Sequence, residues 1–270
     1  MSVNQFSGTS IAEVLLQNSP IVTVLAQLRF PTAASLTTLS GIADFQSALR
    51  DTYPVMRHED QTMAKLSPDG RILQGQGQQV WRFTAVDDGW GVALTPDWVA
   101  IDTTQYTTRS DFIERWRVVL DALAQLDSAP VVFDRLGIRY VDRLVGEEAT
   151  TLLSQQVNPA ILGAITIEDG MGDNVELVGT ITQAHFKLDG PQLIARWGRV
   201  PANGAVVPGV PSVSETSWFL DIDVFTDTEL QRFDVDEVTA ASDRSALHAY
   251  HFFRWAMNED FILRRGGISK

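Results

Sequence analysis

The sequence predicts an α+β protein whose two halves are each an antiparallel sheet packed against helices. Three observations indicate this class: short strands separated by turn residues over 80–101, an N-capped helix that begins near residue 108, and a hairpin, a strand and a helix in succession over 175–257. We expect the halves to be 1–148 and 149–270. Because each half ends a series of strands in an aromatic-rich helix, a degenerate internal duplication is one explanation of this order.

A strand and a helix open the first half. Residues 21–30 are rich in β-branched side chains and stop at Pro31, which predicts a strand. Residues 40–53 carry apolar side chains at helical spacing, with Ser40 as the candidate N-cap and Pro54 as the stop.

Turn residues divide the next segment into a three-stranded meander. We expect strands over 80–86, 90–94 and 98–101, because Asp88–Gly89 and Pro96–Asp97 stand between them.

A capping-box pattern starts the second helix. Thr108 is followed three residues later by Asp111, and apolar residues at helical spacing continue to Leu123. Beyond Pro130, residues 131–144 predict a long strand, so the first half has the order β-α-β-β-β-α-β.

The second half mixes helical and extended segments. We expect a mostly helical connection over 150–164, followed by hairpin strands over 175–188 and 192–200 around the turn 189–191. A proline- and glycine-rich loop then covers 201–215, and a strand covers 218–225. The last element is a helix that Ser242 or Asp243 caps and that ends near Met257. The loop is long enough to be a candidate partner surface.

The composition argues against several function classes. The 270 residues include no cysteine, which excludes a disulfide framework, a thiolate nucleophile and a cysteine-based zinc site. A formal net charge of -13 argues against bulk nucleic-acid binding, which needs clustered Lys and Arg. No apolar run approaches the ~20 residues of a membrane span, and residues 1–16 lack a secretory pattern. We therefore expect a cytoplasmic protein with no membrane contact.

Three arginines on one predicted strand are the first candidate site. Alternation along 131–144 brings Arg135, Arg139 and Arg143 to one face, with Gly137 between them. Guanidiniums bind phosphate and carboxylate groups bidentately, which suggests a clamp for an anionic ligand. The alternative is that they pair with acidic residues on neighbouring strands.

Two aspartates on the later strand are the second candidate site. Asp221 and Asp223 share one face of 218–225 and could hold Mg²⁺ or Mn²⁺, or act as acid and base. Alternatively, they face the arginines. His248 and His251 lie three residues apart on the last helix, a spacing that can bring two imidazoles near one metal, although a half-buried helix histidine is the simpler interpretation.

Several runs of the sequence together resemble one family. They are NSPIVTVLAQLRFP (18–31), FQSALRDTYP (45–54), WRFTAVDDGWGVALTPDWVAIDTTQYTTRSDFIERW (81–116), RLGIRYVDRL (135–144), FLDIDVF (219–225) and LHAYHFF (247–253). In this order and over nearly the whole chain, they are similar to a sporadically distributed family of prokaryotic proteins of unknown function. The resemblance implies a protein that travels with mobile elements, with a role in phage defence or regulation. The positions that carry it are Pro20, Arg29, Tyr106, Phe112, Arg135, Gly137, Arg139, Tyr140, Asp221, Asp223 and His248.

These observations favour a non-enzymatic binding or regulatory protein. Arg135, Arg139 and Arg143 are its candidate contact with an anionic ligand or a protein partner, and we expect no cofactor and no metal. The alternative is a metal-dependent phosphodiesterase or nuclease that uses Asp221, Asp223 and His248, with no other catalytic residues identified. The sequence leaves formation of a homo-oligomer open.

Overall fold

The structure is a computed structural model that describes residues 13–61, 64–66, 72–74, 78–86, 89–170, 174–206 and 210–269. The strands in these residues are β1 (Val14–Leu15), β2 (Ile21–Arg29), β3 (Val55–Gln61), β4 (Ala64–Leu66), β5 (Ile72–Gln74), β6 (Gln78–Thr84), β7 (Trp90–Leu94), β8 (Trp98–Thr103), β9 (Val132–Val145), β10 (Thr182–Lys187), β11 (Gln192–Val200), β12 (Ser217–Arg232) and β13 (Ile268–Ser269). The α-helices are α1 (Leu39–Leu49), α2 (Arg109–Ala124), α3 (Leu153–Gln156), α4 (Val235–Ala256) and α5 (Glu259–Arg264). Short 3₁₀ helices cover Ala34–Thr37, Gly146–Ala149, Pro159–Ile161 and Gly163–Gly170.

Nine of these strands form one hydrogen-bonded sheet in the order β10-β11-β12-β9-β2-β8-β7-β6-β3. The pairs β10–β11, β11–β12, β3–β6, β6–β7 and β7–β8 are antiparallel. An antiparallel sheet combined with helices confirms the α+β class. The sequence predicts a sheet for each half, whereas the strands of both halves lie in one sheet, because β12 is the neighbour of β9.

The chain divides into two compact units. The first unit comprises the described residues of 1–24, 138–225 and 243–270, and the second unit comprises those of 25–137 and 226–242. Neither unit is continuous in sequence, since β2, β9, β12 and α4 contribute residues to both. The boundary predicted after residue 148 stays a prediction, because a compact unit is not necessarily a domain that folds alone.

The core of the first unit lies on one face of its strands. Leu193 and Ala195 of β11 are fully buried, as are Leu220 and Ile222 of β12. Side chains two residues apart share a face of a strand, so the intervening positions point to the opposite face. That opposite face carries the candidate site.

Aromatic side chains fill the core of the second unit. The ring of Phe45 in α1 packs edge-on against Phe83 of β6, with centroids 5.4 Å apart. Trp116 of α2 is fully buried and donates from Nε1 to the Ser242 hydroxyl at 3.0 Å. The apolar stripe predicted for α2 is thus part of this core, and its predicted cap is confirmed, because the Thr108 hydroxyl accepts from the Asp111 amide.

Two predicted helix starts are wrong. The hydroxyl of Thr38, not Ser40, accepts from the Gly41 amide and caps α1. Helix α4 begins at Val235, and the Asp234 carboxylate accepts from the Glu237 amide at 3.0 Å. Ser242 is an interior residue of α4 whose hydroxyl donates to the Val238 carbonyl, a local bond that Ser also makes inside helices.

Several strand limits also differ from the predicted ones. The sequence predicts no strand over 55–61, because VMRHEDQ lacks the apolar alternation of a half-buried strand, yet β3 pairs along its whole length with β6. Strand β10 begins at Thr182 rather than at residue 175, and β12 continues to Arg232. The three strands of the predicted meander are confirmed with small changes of their limits.

Some predictions fall partly outside the described residues. Asp88 of the predicted turn lies outside the described residues, while Gly89 has the positive φ of 66° that such a turn requires. Residues 207–209 of the predicted loop also lie there, and its described parts contain no strand or helix. Within the described part of the chain, no helix has both the length and the apolar character needed to cross a membrane.

Candidate functional site

The candidate site is built on three adjacent strands, in the order β11-β12-β9, by residues that belong to the first unit. The β11–β12 register sets Arg196 directly opposite Asp221, and Gln183 of β10 lies opposite Arg196. Cross-strand partners point to the same face, so these side chains lie together. Arg139 of β9 joins them from the other side of Asp221.

The carboxylate of Asp221 is the centre of the cluster. It is 1% exposed and accepts from Arg139 Nε at 2.6 Å and from Arg139 Nη2 at 2.8 Å, one oxygen for each nitrogen. Arg196 adds a third bond, from Nη1 to the Asp221 Oδ2 at 3.2 Å. A buried carboxylate needs such compensation, because its desolvation without partners would cost several kcal/mol.

The guanidiniums of the cluster are held in fixed positions but remain accessible. The side chain of Arg139 is 29% exposed and that of Arg196 is 36% exposed. Gln183 fixes the latter by accepting from Arg196 Nε at 2.7 Å. Arg139 Nη1 and Arg196 Nη2 have no hydrogen-bond partner among the described residues, which leaves them as donors at the surface of the cluster.

The charges around Arg139 favour its protonated form. Burial lowers its pKa, but the hydrogen bonds and charge of Asp221, together with the charge of Asp223, outweigh burial and raise the pKa above its ordinary value. Asp223 therefore contributes to the electrostatics of the cluster in addition to Asp221. The guanidinium is fully charged at every pH at which the protein folds.

Arg143, the third predicted arginine, lies in a different environment. The residue is only 8% exposed, and its Nη1 donates to the Pro211 carbonyl at 2.6 Å. Nε and Nη2 are buried with no partner among the described residues, and burial lowers the pKa of the group. Arg143 therefore holds Pro211 of the 201–215 loop against β9, whereas Arg139 is accessible.

Arg135 belongs to the second unit and is paired there. Its Nη1 donates to both oxygens of Asp227, at 2.8 and 2.9 Å. Arg29 of β2 donates from Nε to Asp134 at 2.8 Å in the same unit. The alternative of arginines paired with acidic residues of a neighbouring strand is thus observed for Arg135 and for Arg139.

The residues proposed for metal-dependent catalysis are not gathered into a metal site. Both oxygens of Asp221 accept from guanidiniums, which a metal ion would have to displace. His248 lies on α4, where burial and then the charge of Arg244 lower its pKa, and His251 is buried one turn later. In the described part of the chain, no three His, Asp or Glu side chains converge as metal ligands.

Sequence reasoning missed a buried carboxylate on β9. Asp142 is 2% exposed, and its Oδ1 has no hydrogen-bond partner among the described residues. Burial, and then the charge of Asp221, raise its pKa to about 8, although Arg265 lowers it somewhat. The signal was present in the alternation, because Asp142 shares its parity with the buried side chains of Tyr140 and Leu144.

No protein-family model matches the sequence, and no curated protein is significantly similar to it.

Proposed function

We propose that the protein is a non-enzymatic binding protein, and that the Arg139–Arg196 pair contacts an anionic group of its ligand or protein partner. The observation that carries this proposal is the pair of accessible guanidiniums fixed by one buried carboxylate, Asp221. A guanidinium that is already ordered loses little side-chain entropy when it binds, so its remaining donors bind an anion at lower cost.

The net charge limits the kind of anion. A chain that carries -13 repels long polyanions, whose many charges interact with the whole surface. A single carboxylate or phosphate group, by contrast, interacts mainly with the nearest guanidiniums because salt screens the more distant charges over about 8 Å. We therefore favour a small anionic ligand, or one acidic side chain of a partner, over nucleic acid.

We also propose the setting that the family resemblance implies, namely regulation or phage defence in the cytoplasm of a prokaryote. The absence of cysteine from the 270 residues is compatible with this setting.

The proposal is tested by titrating the protein with inorganic pyrophosphate and comparing R196Q with R50Q. Arg196 is chosen because Asp221 keeps both bonds to Arg139 when Arg196 is replaced. Arg50 is a control of the same chemistry, with a side chain that is 75% exposed and paired with the neighbouring Asp51. We expect wild type and R50Q to bind with the same affinity and R196Q to bind about tenfold more weakly, a loss of about 1.4 kcal/mol.

Calorimetric titrations are repeated at several NaCl concentrations, and the variants are compared with wild type at the same ionic strength. Binding that weakens as NaCl rises would support a contact between the anion and the guanidiniums. Equal affinities of R196Q and R50Q, or no binding by wild type, would contradict the proposed contact.

A further inference from the structure

A cleft of about 600 Å³ lies in the first unit, lined by residues that the arginine cluster does not use. Its lining includes Arg199 at the end of β11, Glu176 from the segment before β10, and the hydroxyl residues Thr150, Ser154 and Thr166. The volume is within the range of about 300–1,000 Å³ that is typical of small-ligand sites.

A glycine allows the chain to form one wall of the cleft. A Cβ atom at position 198 would lie 1.8 Å from the Thr180 carbonyl oxygen, so only glycine permits this approach. The Thr180 amide then donates to the Arg199 carbonyl at 2.9 Å. These contacts hold the segment containing Glu176 and Leu177 beside β11, with Arg199 Nη1 within 3.5 Å of the Leu177 carbonyl.

Two of the hydroxyl groups that line the cleft are acceptors. Thr150 donates its hydroxyl hydrogen to the Gly146 carbonyl at 3.0 Å, and Thr166 donates to the Gly163 carbonyl at 2.8 Å. A hydroxyl has one hydrogen, so each of these oxygens retains only acceptor capacity. Together with the Glu176 carboxylate, they suit a cationic donor group such as an ammonium.

Among the described residues that line the cleft, Arg199 is the only cation, and a guanidinium suits a carboxylate. The remaining lining consists of Thr151 and Thr216 and of apolar residues such as Leu162, Ile165 and Val178. None of the described lining residues is aromatic, so a nucleobase would lack a stacking partner among them.

We propose that this cleft binds an aliphatic zwitterion, a short peptide or a free amino acid, with its ammonium at Glu176 and its carboxylate at Arg199. The site goes beyond the proposed function, because none of its residues belongs to the Arg139–Arg196 pair. The absence of zwitterion binding in the cleft would leave anion binding at the Arg139–Arg196 pair unaffected. The absence of anion binding at that pair would likewise leave the cleft proposal unaffected.

Isothermal titration with L-alanyl-L-alanine tests the proposal on the wild-type chain. The matched controls are N-acetyl-L-alanyl-L-alanine, which lacks the ammonium, and L-alanyl-L-alanine amide, which lacks the carboxylate. We expect saturable binding of the dipeptide and affinity at least about tenfold weaker for each blocked derivative. Titration with L-alanine distinguishes an amino-acid site from a peptide site, since the two zwitterions differ in the separation of their charges.

The variant E176Q adds a test in the protein. Glu176 is exposed, so its replacement leaves the core intact, and we expect affinity for the dipeptide to fall about tenfold. E229Q, at an exposed position that does not line the cleft, is the matched control. The proposal is overturned if wild type shows no saturable binding up to about 10 mM dipeptide, if a blocked derivative binds as tightly as the dipeptide, or if E176Q and E229Q bind it equally.

Discussion

Asp142 is the ionisable side chain whose burial has the clearest consequence for stability. It lies on β9 among buried side chains, with a pKa raised to about 8 by burial and by the charge of Asp221. In the unfolded chain, the carboxyl titrates near pH 4. Between these values, the folded protein retains a proton that the unfolded chain has released. The free energy of unfolding therefore falls as pH rises from about 4 to about 8, by up to about 1.4 kcal/mol per pH unit.

The variant D142N removes this titration, because an amide stays neutral at every pH. Between pH 5 and pH 7, we expect the free energy of unfolding of wild type to fall by about 2.5 kcal/mol more than that of D142N. Urea unfolding at the two pH values measures the difference. E229Q controls for the loss of a carboxylate at an exposed position. If the free energy of unfolding changed equally with pH in wild type and D142N, Asp142 would be ionised in the folded protein.

Asp221 and Asp223 show how far residue-level prediction reached. Their strand and their shared face follow from alternation, and pairing with arginines was one of the two interpretations that the sequence left open. The pairing of Asp221 with Arg139 and Arg196 depends on which strands are neighbours, and sequence does not determine strand order. The antiparallel register over the predicted hairpin could have identified Arg196 and Gln183 as opposite residues, but not their approach to β9.

At the scale of elements, the beginning of α4 was the least accurate prediction. The apolar spacing is clear from Leu247 onwards, and Ser242 and Asp243 have the side chains of N-caps. The helix nevertheless starts at Val235, because the preceding turns pack Val238 and Ser242 into the core of the second unit. Tertiary burial of this kind overrides local capping preference and is not visible in the sequence.

The observed cap of α4 provides a test by substitution of Asp234. D234A removes the carboxylate that accepts from the Glu237 amide, and we expect it to destabilise the protein by about 1 kcal/mol. D234N keeps an acceptor in the same position and should retain most of the stability. The two variants are compared by urea unfolding at one pH. Equal stability of D234A and D234N would indicate that the cap contributes nothing measurable.

At the scale of the whole molecule, charge is unbalanced. The chain has 34 Asp and Glu residues against 21 Lys and Arg residues. Several described ion pairs are exposed, such as Arg117–Asp236, whose side chains are 44% and 79% exposed. Pairs of this kind contribute about 0–1 kcal/mol each, so screening them costs little. The repulsion among the excess carboxylates acts on the compact state as a whole, and screening relieves it.

Moderate salt should therefore stabilise the fold. We expect the urea midpoint at pH 7 to rise when NaCl is increased from about 20 to about 300 mM, because the screening length shortens to less than about 10 Å. At pH 5, where some carboxylates are protonated, the same addition should raise the midpoint less. A midpoint that falls with salt at pH 7 would mean that the ion pairs, including that of Arg139 with the buried Asp221 carboxylate, outweigh the general repulsion. That outcome would also require the argument against polyanionic ligands to be revised, since both rest on the same excess of negative charge.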